Sequence, residues 1–237
     1  MPPPPRTMKH RAARWSKRTD ELVRYVARQC APSLQSELGH WIENSPRFAA
    51  FVAANQDKIR KKLSNADGAE GRLDVRAELR VAHVLLADRR FEVAFEAYGI
   101  GRPGPDLSIT YRTNQRFNLE VTRLRSAPDM TRLANVIVAK SRQLPAELPN
   151  ALVVAGHDLA ITETLVNEAA RGLKAHADTR DDDFFERRGL GDAATFHARY
   201  LRLSGLLVLD EATEPVFWTN REAKHPLPLE VVARLTA

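Results

Sequence analysis

The chain has 237 residues, 43% of them hydrophobic and 28% charged, with a formal net charge of +6 and a pI near 9.7. This composition excludes a disordered or fibrous protein. No apolar run approaches the roughly 20 residues that cross a bilayer, the start MPPPPRTMKHRAARWSKR lacks the apolar core of a secretory signal, and Cys30 as the only cysteine rules out an intrachain disulfide or a thiolate zinc cage. A soluble, cytoplasmic protein is expected.

Charge is unevenly placed: residues 1–63 hold 13 Lys or Arg against 5 Asp or Glu, and the remainder holds 23 against 25. A basic field confined to one end is the electrostatic footprint of nucleic-acid binding, because phosphate contacts supply most non-specific affinity. Residues 1–18 read as a flexible basic arm. Residues 19–66 form a helical module: Leu22, Val26, Leu34, Leu38, Trp41 and Ile42 recur at helical intervals interrupted by Pro32. Ser45-Pro46 then caps a helix running through Phe48, Phe51, Val52, Ile59 and Leu63 to the basic turn IRKKL. SNADGAEG reads as a linker. Residues 72–237 make up the body.

In the body, Leu73 to Ala87 predicts a helix, RFEVAFEAYG a strand, and DLSITYR and RFNLEVTRL a hairpin. A helix over Asp129 to Leu144, the apolar strand NALVVAGH and a helix over Thr162 to Ala177 follow. ADTRDDDFFERRGLGD is expected as a long solvated loop, since adjacent aspartates in a loop rarely converge on one ion. FHARYLRLSG, LLVLDE, PVFWTN and a C-terminal helix introduced by HPLPLE complete the chain. The expected class is α/β, a mixed central sheet flanked by helices with a helical N-terminal extension.

GIGRPGPD, Gly99 to Asp106, has the glycine spacing of a dinucleotide fingerprint. That fingerprint needs a helix after it, to hold phosphate at the helix N-terminus, and here Pro105 and a strand follow. The glycines read as a loop. In the hairpin, Asp106, Ser108 and Thr110 alternate with Leu107, Ile109 and Tyr111, while Asn118, Glu120 and Thr122 alternate with Phe117, Leu119 and Val121. Matching faces requires paired numbers with an even sum. A three-residue loop at Thr113 to Gln115 is expected, setting Tyr111 against Phe117, Ser108 against Glu120 and Asp106 against Thr122. Asp106 and Glu120 then become diagonal neighbours, roughly 5–8 Å apart at Cβ. A hard divalent ion is the economical answer to their repulsion.

The order helix with Glu78, strand, Pro105-Asp106, strand, Glu120-Val121-Thr122, helix, strand resembles the PD-(D/E)xK nuclease superfamily over residues 73–155. The resemblance implies a restriction-endonuclease-like mixed sheet, Mg²⁺ (or Mn²⁺) held by Asp106 and Glu120 with help from Glu78, and hydrolysis of phosphodiesters in nucleic acid, DNA first. Thr122 stands where that superfamily usually has lysine, and a hydroxyl cannot supply the charge. Some members of the superfamily carry the lysine on a neighbouring element. Lys140 on the next helix, with Gln143 one turn further, is the candidate here. The alternative is a degenerate nuclease fold that binds nucleic acid or a partner without cleaving. No membrane partner is expected, and a homodimer is compatible.

Other chemistries are poorer fits. No histidines fall at H-E-x-x-H spacing, His83 reads as helix packing, and Ser204 lacks the G-x-S-x-G frame. Trp15, Trp41 and Trp218 read as packing residues, and WTNREAKHPLP as a loop before the last helix.

Overall fold

The computed structural model describes residues 15–98, 104–125 and 128–237. Most of the basic arm and residues 99–103 of the glycine segment lie outside the described residues. The chain divides into two compact units, Met1–Ser64 and Asn65–Ala237.

The first unit is helical: α1 (Lys17–Ala27), α2 (Pro32–Asn44), α3 (Pro46–Ala54) and α4 (Gln56–Asn65). Ser16 caps α1 by accepting from Thr19 N, and Ser45 caps α3 by accepting from Phe48 N, with proline at the first helical position. The expected break at Pro32 is present. The single helix expected after Ser45 is instead two, because α3 stops at Asn55, whose side chain donates to the carbonyl of Phe51 at 2.8 Å. Val23, Val26, Leu38, Phe48, Val52 and Ile59 form the core, and Cys30 is buried among apolar residues as a small hydrophobe. The Trp15 ring lies over Gly39, where any Cβ would collide with it.

The second unit opens with α5 (Gly68–Ala87), so the expected linker is helical from Gly68 onward. Glu70 and Asp74 in its first turns are held by Arg123, which gives that end of the helix a partner. Six strands follow in one sheet: β1 (Phe91–Phe95), β2 (Leu107–Tyr111), β3 (Gln115–Arg123), β4 (Asn150–Gly156), β5 (Leu203–Asp210) and β6 (Val216–Thr219). Their order across the sheet is their order in the chain. β1, β2 and β3 run antiparallel, β3, β4 and β5 parallel, and β6 antiparallel to β5. The parallel connections are made by α6 (Met130–Lys140) with a short 3-10 turn (Ser141–Gln143), and by α7 (Glu163–Asp178), α8 (Asp182–Glu186) and α9 (Ala193–Tyr200). α10 (Leu229–Leu235) ends the chain.

The sheet separates two cores. Phe91, Phe95, Leu107, Ile109, Phe117, Leu119 and Val121 share the face packed by α5. Leu152, Val154, Leu206, Val208 and Trp218 lie on the opposite face under α6, α7 and α9. β4 and β5 are buried almost throughout, as central parallel strands must be.

The acidic stretch and the hairpin register also differ from expectation. The acidic stretch after Ala177 is not an open loop: it holds α8, and three of its acids cap helix N-termini. Asp181 accepts from Phe184 N, Asp182 from Ala193 N and Asp192 from Thr195 N, while Phe185 is fully buried against Phe196. The hairpin register is shifted by two residues. Ser108 faces Asn118, Ile109 faces Phe117 and Tyr111 faces Gln115, so the loop is Arg112–Asn114. Face matching allows either register. The turn decides between them, because Arg112 takes a left-handed conformation (φ 56°) and donates its N–H to Arg90 O, starting the reversal one residue earlier.

Candidate functional site

Glu120 is the fixed point of the polar face. It sits mid-strand in β3 beside Leu152 of β4, on the side covered by α6, and it is 2% exposed. A buried carboxylate needs compensation, and the end of α6 delivers it. Lys140, the last residue of that helix, places Nζ 2.7 Å from Glu120 Oε1. The 3-10 turn that follows brings back Gln143, whose amide nitrogen, turned toward Glu120, donates to Oε2 at 3.1 Å and also to Oε1. The turn is held by Ser141 Oγ donating to Val138 O at 2.8 Å.

Asp106 stands one residue before β2, so the register continues to set it opposite Glu120 rather than Thr122. The β2 ladder ends at Leu107, and the Asp106 carboxylate takes over: Oδ2 accepts the Val121 N–H at 2.9 Å. The backbone carbonyl of Asp106 meanwhile accepts from Glu96 N, so the residue is tied to both neighbouring strands. Thr122 shares the Glu120 face. Arg123 turns to the other face, where Nε meets Asp74 at 3.0 Å and Nη2 meets Glu70.

Glu78 is buried (6% exposed) on α5, the helix that packs on the Arg123 side of the sheet. Among the described residues no three His, Cys, Asp or Glu side chains gather as a metal cluster. The structure thus brings Glu120, Lys140 and Gln143 into contact and sets Asp106 across from Glu120, while Glu78 is a buried residue of α5.

A buried amide chain under this group was not anticipated. Ser108 Oγ donates to Asn118 Oδ1 at 2.9 Å, Asn118 Nδ2 to Asn150 Oδ1 at 3.0 Å, and Asn150 Nδ2 to the carbonyls of Pro145 and Leu148, both at 2.8 Å. Asn118 and Asn150 are fully buried and pair directly between β3 and β4. The chain anchors the segment leading from Gln143 into β4. Its signal in the sequence was an asparagine opening the otherwise apolar run NALVVAG, matched by another two residues before Glu120.

Known protein families, curated protein sequences and solved structures give no match to this chain.

No helix among the described residues is long and apolar enough to cross a membrane. After Gly104 the chain enters β2, so the helix that a dinucleotide fingerprint requires is replaced by a strand. Asn220 closes part of the WTNREAKHPLP segment, its side chain donating to Tyr200 O at 3.1 Å and Leu203 O at 2.8 Å.

Proposed function

We propose that the second unit carries a nuclease-like site of the PD-(D/E)xK type, with a restriction-endonuclease-like sheet, and that the basic first unit holds nucleic acid, DNA first. The observation that carries the reading is the Lys140–Glu120 contact: a cation reaches the strand face on which Thr122 leaves none. The element order α5, β1, β2, β3, α6, β4, with Asp106 at the head of β2 and Glu120 inside β3, is the order that the resemblance requires. Arg18, Arg28 and Lys61 of the first unit are exposed and make no ion pair among the described residues, so they are available to phosphates.

The donor set fits a hard divalent ion. Asp106 and Glu120 offer carboxylate oxygens from facing register positions, the ligand type that magnesium and manganese prefer. Such an ion supplies Lewis acidity toward phosphoryl oxygen and a more acidic bound water. This chain's own groups then divide the remaining work. Lys140 presents positive charge where a phosphoryl oxygen gains negative charge, and Gln143 orients the Glu120 carboxylate.

The second reading, a degenerate nuclease fold that binds without cleaving, is favoured by one feature of the same group. Both Glu120 oxygens already accept from Lys140 and Gln143. Cleavage of mixed DNA and RNA substrates by the purified chain with Mg²⁺ or Mn²⁺ separates the two. The nuclease reading expects cleavage that disappears in Asp106→Ala and Glu120→Ala together with calorimetric Mn²⁺ binding. An inert wild-type chain that gains cleavage on Thr122→Lys is a degenerate nuclease. Unchanged Mn²⁺ affinity in both alanine variants removes the metal site.

A further inference from the structure

A cleft of about 540 Å³ opens at the other edge of the sheet, between α7 and β6, and none of Asp106, Glu120 or Lys140 lines it. α7 sends Asn167, Arg171 and Lys174 into it from successive turns of one face. Tyr200, at the end of α9, forms part of its wall, and Arg221 and Glu222 follow β6 at its rim.

The polar groups here are arranged as donors. Trp218 Nε1 donates to Asn167 Oδ1 at 2.9 Å, which fixes the amide and leaves its NH₂ hydrogens for another acceptor. Tyr200 is 5% exposed as a residue and lines the cleft, and its hydroxyl has no hydrogen-bond partner among the described residues, so it is free to donate to a bound group. Burial, with the Glu222 charge adding to it, pushes the Tyr200 phenol up to about 12, so it stays a neutral donor at ordinary pH. Arg171 and Arg221 are exposed and form no ion pair among the described residues. Lys174 is engaged by Glu222 at 3.3 Å, which uses the acid nearest the donors. The other acid of the lining, Glu163, lies two turns from Arg171 along α7.

Unused donors, two guanidinium groups and a phenol lining the cleft call for an acceptor-rich anion. We infer that this cleft binds a phosphate monoester, with Arg171 and Arg221 on the phosphate and with Tyr200 and Asn167 donating to its oxygens or to the attached organic group. The volume exceeds what inorganic phosphate fills, so an ester is favoured over the free ion. Two sources carry the same chemistry, a mononucleotide and the 5′-phosphorylated end of a nucleic-acid strand.

The test is calorimetric titration of the full chain, without divalent ions, using adenosine 5′-monophosphate and one short single strand with and without a 5′-phosphate. Saturable binding of the mononucleotide is expected for the first source, and tighter binding of the phosphorylated than of the unphosphorylated strand for the second. In either case the exposed pair Arg171→Glu and Arg221→Glu should weaken binding at least about tenfold, consistent with loss of charge-assisted hydrogen bonds. Tyr200→Phe should weaken it several-fold while the melting temperature shows the fold intact. The inference is overturned if no phosphate monoester gives saturable heat, or if the double charge reversal leaves the affinity unchanged. Either failure leaves the Asp106–Glu120 reading standing, because that reading is probed with metal and by cleavage.

Discussion

Glu120 and Lys140 meet with unequal access to water: the carboxylate side chain is 2% exposed and the lysine side chain 27%. Removing the lysine strands a buried charge, whereas the lysine alone could rehydrate. Lys140→Ala should therefore cost about 2–3 kcal/mol, less than a fully buried pair because the lysine is partly screened. A urea midpoint unchanged from wild type would show that Gln143 suffices for Glu120. Asp210 offers a pH test. Burial alone would raise its carboxyl, but N–H donation from Ala212, Leu159 and Asp158, with His157 nearby, outweighs that and holds it below the usual carboxylate range. A depressed folded pKa gives stability that is present above the unfolded value and lost as pH falls through the folded one. The melting temperature should accordingly drop as pH is lowered through about 4 and below, and Asp210→Asn should flatten that drop at the cost of lower stability at pH 7. An unaltered acid profile in Asp210→Asn would mean that other carboxylates dominate. At this scale the sequence was partly legible. Strand alternation put Glu120 on the polar face and Arg123 on the other, and helical spacing paired Lys140 with Gln143, although the helix expected to run to Leu144 stops at Lys140 and a 3-10 turn carries Gln143. Whether a lysine side chain ends on a given carboxylate depends on where the crossover helix docks, which no local pattern encodes.

Between α6 and β4 the chain has little regular structure, and Asn150 replaces it. Its side chain donates to Pro145, Leu148 and Arg202 carbonyls, and its own N–H goes to Ser204 Oγ at 2.9 Å. Asn150→Ala would take the shared partner from those part-buried carbonyls and leave the buried Asn118 amide nitrogen only its long contact to Tyr98 Oη at 3.4 Å. A loss of about 2–4 kcal/mol in denaturant unfolding is expected, together with faster amide exchange in residues 141–149. Unchanged protection there would mean that the segment is held by apolar packing alone. Element types were readable because periodicity is strong in α5, α6, α7 and the hairpin. The hairpin register was not, since slipping by two keeps every face matched and only the turn conformation at Arg112 chooses. The acidic segment misled for a related reason: Asp181 and Asp192 are written as solvated charge, yet the same residue type is what a helix N-terminus prefers.

At the scale of the whole molecule the net positive charge sits in the smaller unit, 13 cations against 5 acids over residues 1–63 and 23 against 25 in the remainder, and the proposed reading would give binding and chemistry to different parts of the chain. Deleting residues 1–64 should weaken non-specific nucleic-acid affinity and flatten its dependence on salt, because fewer counterions are released. If the shortened chain binds as tightly with the same slope, the basic excess is a solvated surface and nothing more. The sheet has a further consequence. Each strand pairs only with its neighbours in sequence, β1 through β6 in order. Loop closure is short within the antiparallel β1–β3 meander, whereas β3–β4 and β4–β5 pair only after the α6 crossover and the α7–α9 crossover have closed. A chain leaving the ribosome could complete the β1–β3 meander, with Asp106 already on Val121, while the crossover bearing Lys140 is still being made. During synthesis, Glu120 would thus be placed before its cation, and the docking of α6 would be the step that quenches its charge.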